Sequence, residues 1–139
     1  MSDHDRVRDA MIPDPRTLDA SAPAQEAGRL LTQPDVRAVY VSEGGRFVGV
    51  LTRKTLVAQV VAEGRDPRMT SIGEIAEPPN WTIDPDVPLD EAFARLEQWD
   101  AERVPVVENG ALVGVLSRSS LQRRLAEDEP PAAPDQQQA

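Results

Sequence analysis

Two short stretches hold the residues best suited to chemistry. In "GVLTR" an apolar run is followed by Thr52 and Arg53, and in "GVLSR" by Ser117 and Arg118. A Thr or Ser at the start of a helix lies beside unpaired backbone N–H groups and the positive end of the helix dipole, and its hydroxyl adds a donor. An arginine next in sequence adds charge-assisted hydrogen bonds. The chemistry implied is the seating of an anion such as phosphate. The plainer reading is that Thr52 and Ser117 cap their helices and that Arg53 and Arg118 stand solvated on the surface.

Other chemistries find little material. The chain has no cysteine, which removes disulfides, thiolate nucleophiles and thiolate metal sites together. Its single histidine, His4, lies in the polar start "MSDHDRVRDA", so a histidine-based triad or a multi-histidine metal site has nothing to build on. Asp84 and Asp86 read as turn residues rather than a general acid/base pair. These points count against an enzyme. A net charge of −9 argues against binding nucleic acid through its phosphates. The charge is uneven: residues 1–66 carry 9 basic and 10 acidic side chains, residues 67–139 carry 6 and 14. No apolar run approaches the roughly 18 residues that span a bilayer, and the start lacks a signal-peptide core, so a cytoplasmic protein without a membrane partner is expected.

The elements that hold the two hydroxyl positions are written twice. "RFVGVLTRKTL" and "ALVGVLSRSSL" match with Gly49 and Gly114 65 positions apart, and the same offset pairs Thr17 with Thr82, Pro23 with Pro88, Leu31 with Leu96 and Val41 with Val106. Each copy opens on a short extended piece ("RTL", "WTI") and a proline suited to a helix start. A helix with a buried face follows: Ala24, Ala27 and Leu31 in one copy, Leu89, Ala92, Phe93 and Leu96 in the other. Two β-rich runs joined by "SEGG" or "ENGA" read as a hairpin. Leu56 and Val60, then Leu121 and Leu125, mark a closing helix, and Gly64 suits the end of the first. Short helical lead-ins fall at Val7–Met11 and Ser71–Ala76, the latter with Ser71 and Glu74 spaced as a capping box.

The expected fold class is therefore α+β, with two pseudo-symmetric β-α-β-β-α repeats packed sheet to sheet, because a unit of this size has too little core to stand alone. Residues 1–66 form the first repeat with its lead-in and connector, and residues 67–126 the second. Residues 127–139, acidic and rich in Pro and Gln, are expected to be disordered.

The doubled β-α-β-β-α order, the "VPV" strand at Val104–Val106 and the Gly-x-x-Thr/Ser turns resemble the tandem cystathionine-β-synthase (CBS) domain pair, or Bateman module, over about residues 5–126. The resemblance implies a stand-alone regulatory module without catalysis, with AMP, ATP or S-adenosylmethionine as the regulatory ligand in a cleft between repeats. Thr52 and Ser117, with Arg53 and Arg118, match its phosphate side. An Asp three positions after the Thr or Ser meets ribose hydroxyls in that family; here Thr55 and Ser120 stand in its place. Thr17, Leu18 and Tyr40, and their counterparts Thr82, Ile83 and Pro105, match its base side, with core packing or partial exposure the alternatives for Tyr40. Trp81 and Trp99 are open to stacking on a base, lining a dimer face or packing in a core. The resemblance also implies a homodimer of four repeats and a protein partner. The rival reading is a ligand-free interaction module that acts by dimerising or docking.

Overall fold

The computed structural model describes residues 5–128. His4 and residues 129–139, most of the stretch expected to be disordered, lie outside them. The first half runs α1 (Val7–Ala10), β1 (Ile12–Pro13), β2 (Thr17–Asp19), α2 (Ala24–Leu31), β3 (Val39–Glu43), β4 (Arg46–Leu51) and α3 (Arg53–Leu56), which widens into a π turn over Val57–Val61. The second half runs α4 (Ile72–Ile75), α5 (Leu89–Trp99), β5 (Arg103–Glu108), β6 (Ala111–Ser117) and α6 (Arg118–Asp128). The fold is α+β, with two three-stranded sheets in the orders β2-β3-β4 and β1-β6-β5. They pack across a seam where the Phe47 N–H donates to the Gly110 carbonyl at 2.8 Å.

Local chemistry explains the hairpins. Gly44 and Gly45 have φ of +57° and +81°, and Asn109 and Gly110 have +53° and +82°. Two successive left-handed residues make the turn whose twist matches paired strands, and Gly and Asn adopt them at least cost. Both hairpins carry a register shift at the same place, after Val41 and after Val106. The repeat thus extends to irregularities as well as elements.

The two lead-ins exchange places. The first core gathers Ala24, Ala27 and Leu31 from α2, Val39, Val41 and Leu51 from the hairpin, and then Ile72 and Ile75 from α4. The second gathers Leu89, Ala92 and Leu96 from α5, Val104, Val106 and Leu116 from its hairpin, Leu121 from α6, and Val7 from α1. Each lead-in also adds backbone pairing to the other copy's sheet. Ile12 pairs with Val115 on β6, and Glu77, 65 positions later, bridges Val50 on β4. The bridges Arg6–Pro88 and Pro23–Ser71 repeat the exchange further along. Gly49 and Gly114 are required where the segments cross: a Cβ on Gly49 would stand 2.9 Å from the Ala76 Cβ, and one on Gly114 2.6 Å from the Met11 Sδ.

One expected strand is reduced. "RTL" forms β2, parallel to β3, whereas "WTI" keeps only a bridge from Ile83 to Val106. Proline accounts for the difference, because it has no N–H to donate. In the first copy Tyr40 N–H donates to the Arg16 carbonyl and Ala20 N–H to the Ser42 carbonyl, both at 2.8 Å. The corresponding positions in the second copy are Pro105 and Pro85. The segment ending at Trp81 is thereby released from the sheet.

Candidate functional site

A cleft of about 480 Å³ opens at the seam and is lined from both copies. Thr52, Thr55, Tyr40 and Val50 form its first-copy wall, Trp99, Asp100, Arg103 and Pro105 face them, and the segment that leaves β4 at Glu77 and runs to Trp81 closes one side. Thr52 sits at the end of β4 because the apolar strand runs out there and the chain turns into α3. The Thr55 N–H donates to Thr52 Oγ1 at 3.3 Å, and the Thr52 N–H to Thr55 Oγ1 at 3.4 Å. Thr55 is only 3% exposed, and its hydroxyl donates to Glu77 Oε1 at 3.1 Å. Glu77 is fixed in turn by its backbone, which exchanges hydrogen bonds of 2.8 and 2.9 Å with Val50. A carboxylate on the exchanged lead-in is thus held against the position where the resemblance leads one to look for Asp.

The aromatic and cationic groups come from the seam. Both tryptophans of the chain line the cleft, and Trp81 stacks on Trp99 with ring centroids 4.8 Å apart and planes 1° from parallel. Arg37 and Arg103 also line it, and neither forms an ion pair among the described residues. Burial pushes the Tyr40 phenol above its ordinary value of 10.0, and the positive charge of Arg103 works in the opposite direction.

The other sequence-derived positions are dispersed. Arg53 turns away and donates from Nη2 to the Gln33 carbonyl at 2.8 Å. Ser117 caps α6 by accepting from the Ser120 N–H at 3.4 Å, and Arg118 lies near Asp100 at 3.5 Å and Glu97 at 3.8 Å. Ser120 lines a separate hollow of about 260 Å³ with Asp9, Arg123 and Arg124. Thr17 donates to the Pro15 carbonyl, Leu18 packs against the first core, Thr82 is exposed and Ile83 lies in the second core. Of the base-side positions, Tyr40 and Pro105 reach the cleft. The sequence reading had not singled out Glu77, Arg37 or Arg103; the signal for Glu77 was Gly49, whose missing side chain makes room for the crossing segment.

The pseudo-equivalent cleft on the other side of the seam is about 140 Å³, lined by Ile12, Pro15, Arg16 and Asp35 together with the shared Arg37, Tyr40 and Arg103. Among the described residues, no group of three or more His, Asp or Glu side chains is placed to hold a metal ion, and no helix is long and apolar enough to cross a membrane.

Two sheets with exchanged lead-ins and a cleft at their seam define a tandem module, and the CBS domain family model matches the chain twice, at residues 7–62 and 72–127. The chain belongs to the CBS-domain family. Among curated relatives, the CBS domain-containing protein YhcV of Bacillus subtilis is 30% identical over 115 residues, covering 83% of this chain and 81% of the relative. Hypoxic response protein 1 of Mycobacterium tuberculosis is 28% identical over 102 residues, 73% of this chain and 71% of the relative. Among solved structures, Hypoxic Response Protein I with two coordinated zinc ions superposes with a TM-score of 0.73 at 24% identity, covering 86% of this chain and 98% of that one. CBSX2 in complex with AMP gives 0.71 at 22% identity, covering 88% and 96%. At these identities the structures establish a shared fold.

Proposed function

We propose that the protein is a regulatory module that binds an adenine-containing metabolite, a nucleotide or a relative of one, in the cleft at the seam and passes its bound state to a partner protein. The observation that carries this reading is the makeup of the cleft: one cavity of about 480 Å³ takes hydroxyls from the first copy, flat indoles and Pro105 from the second, and two arginines from the boundary between them. A ligand touching both copies biases their relative orientation by its difference in affinity for the two arrangements. Thr52 and Thr55 form the polar wall, Tyr40 and Pro105 flank the ring, and Arg37 and Arg103 supply the positive charge that Arg53, held at Gln33, does not bring to the cleft. The AMP found with CBSX2, a protein of the same fold, is in keeping with this class of ligand.

Melting the chain alone and with millimolar AMP, ADP, ATP, S-adenosylmethionine and NAD tests the reading. A ligand at a hundredfold over its Kd adds about 2.7 kcal/mol, and the resulting rise in Tm is smaller in Thr52→Ala. A Tm unmoved by the whole panel defeats it.

A second reading, an interaction module that works through self-association, is favoured by exposed apolar side chains at Val57, Val61 and Met69, with Val61 72% exposed. These residues follow α3 and border the connector, and covering them in a homodimer would assemble four repeats. Under this reading, sedimentation gives a dimer that Val61→Glu dissociates, and no nucleotide shifts the Tm.

A further inference from the structure

The two clefts at the seam are related by the internal repeat but are chemically unlike. Where the larger has Glu77, the smaller has Ile12; where it has Trp81, the smaller has Arg16, and Pro34, the counterpart of Trp99 in the repeat, does not line it. Their volumes, about 480 and 140 Å³, differ for a backbone reason. The Arg16 carbonyl is drawn onto the sheet by the Tyr40 N–H at 2.8 Å, whereas Pro105, the counterpart of Tyr40, has no hydrogen to offer the Trp81 carbonyl.

We infer that Glu77 selects for a ligand carrying adjacent hydroxyls, and that the chain binds one such ligand, in the larger cleft. The inference rests on the nucleotide reading above and narrows it. The Glu77 carboxylate is held at one oxygen by the Thr55 hydroxyl, and its backbone is paired with Val50 on both sides. Its remaining acceptor capacity has no protein donor among the described residues. Two oxygens on one planar group match two neighbouring hydroxyls, each of which donates one hydrogen. A cationic donor is a poor alternative, because Arg37 and Arg103 line the same cleft. Those arginines instead suit an anionic group at the other end of the same molecule. In the smaller cleft Ile12 stands in the place of Glu77 and Ser120 lines a different hollow; Asp35 lines it, but about 140 Å³ is too little for a nucleotide.

Titration calorimetry of the full chain with AMP and with its 2′,3′-dideoxy analogue tests this. The wild type binds one AMP per chain and the dideoxy analogue about tenfold more weakly. Glu77→Gln weakens AMP about ten- to a hundredfold and brings the two nucleotides to similar affinity. Glu77→Asp, which retains the charge, recovers part of the preference. Arg16→Ala, in the smaller cleft, leaves both constants unchanged. A thermal melt of each variant separates lost affinity from lost fold. Two AMP per chain, or a hydroxyl preference that survives in Glu77→Gln, overturns the inference and leaves the nucleotide reading standing; a wild type that binds no AMP overturns both.

Discussion

Replacing Gly49 by Ala tests whether the crossing of the exchanged lead-in holds the cleft together. The new Cβ would lie 2.9 Å from the Ala76 Cβ and 3.0 Å from the Glu77 carbonyl oxygen, against ordinary contacts that begin at 3.4 Å. Neither neighbour is the free end of a flexible side chain, so the segment must lift from β4 and stretch the two hydrogen bonds between Val50 and Glu77. Overpacking of this kind costs about 1–3 kcal/mol. Alanine also restricts the unfolded chain, which offsets about 0.4–1 kcal/mol because Gly49 has no left-handed backbone to preserve. The net loss is about 1–2 kcal/mol, a fall in Tm of about 3–8 °C for a chain of this size. Differential scanning calorimetry measures the fall, and calorimetric titration with AMP shows a second effect, weakened binding as the Glu77 carboxylate moves. Gly114→Ala is the matched control. Its Cβ would meet the Met11 Sδ at 2.6 Å and the Ile12 carbonyl oxygen at 2.9 Å, so stability falls while AMP affinity holds. Two variants that melt no lower than the wild type would refute the view that these glycines exist to let the segments cross.

Further expectations concern single residues. Asp100 ends α5 in the left-handed conformation, at φ 52°; Asp100→Gly relieves it and raises the urea midpoint by the equivalent of about 0.5–1 kcal/mol, since the exposed Asp100–Arg118 pair it forfeits is worth little. Burial raises the Tyr40 phenol above 10.0, so its contribution to stability is complete below that value and is lost as pH climbs through the raised folded value. Tyr40→Phe therefore flattens the alkaline limb of a stability–pH profile, and an unchanged limb would show that Tyr40 is not its source.

Most of the fold was legible because duplication writes each element twice. A weak strand or cap in one copy was supported by its partner 65 positions away, and the glycine-bearing hairpin turns carried their own conformational signature. The constant offset was silent on the exchange, because it says which residues correspond and not which sheet each lead-in joins. Thr52 and Thr55 were within reach of sequence reasoning since both follow from β4 running into α3. Glu77 was not, since it meets Thr55 only by crossing between copies. Arg53 was expected at an anion seat from its place next to Thr52, but a helix rotates successive side chains by about 100°, which here carries Arg53 to the Gln33 carbonyl. The inequality of the clefts was written in Pro85 and Pro105, whose meaning depends on which N–H groups the first copy uses at Ala20 and Tyr40.

The traded lead-ins mean that severing the chain near Thr70 would not give two free-standing halves. One fragment would keep Val7 with no core of its own to fill, and the other would carry Ile72 and Ile75 away from the sheet they complete. A forerunner encoding a single copy could satisfy the same contacts only as two chains clasping each other's ends, so fusion of the genes would have made permanent an embrace already required for folding.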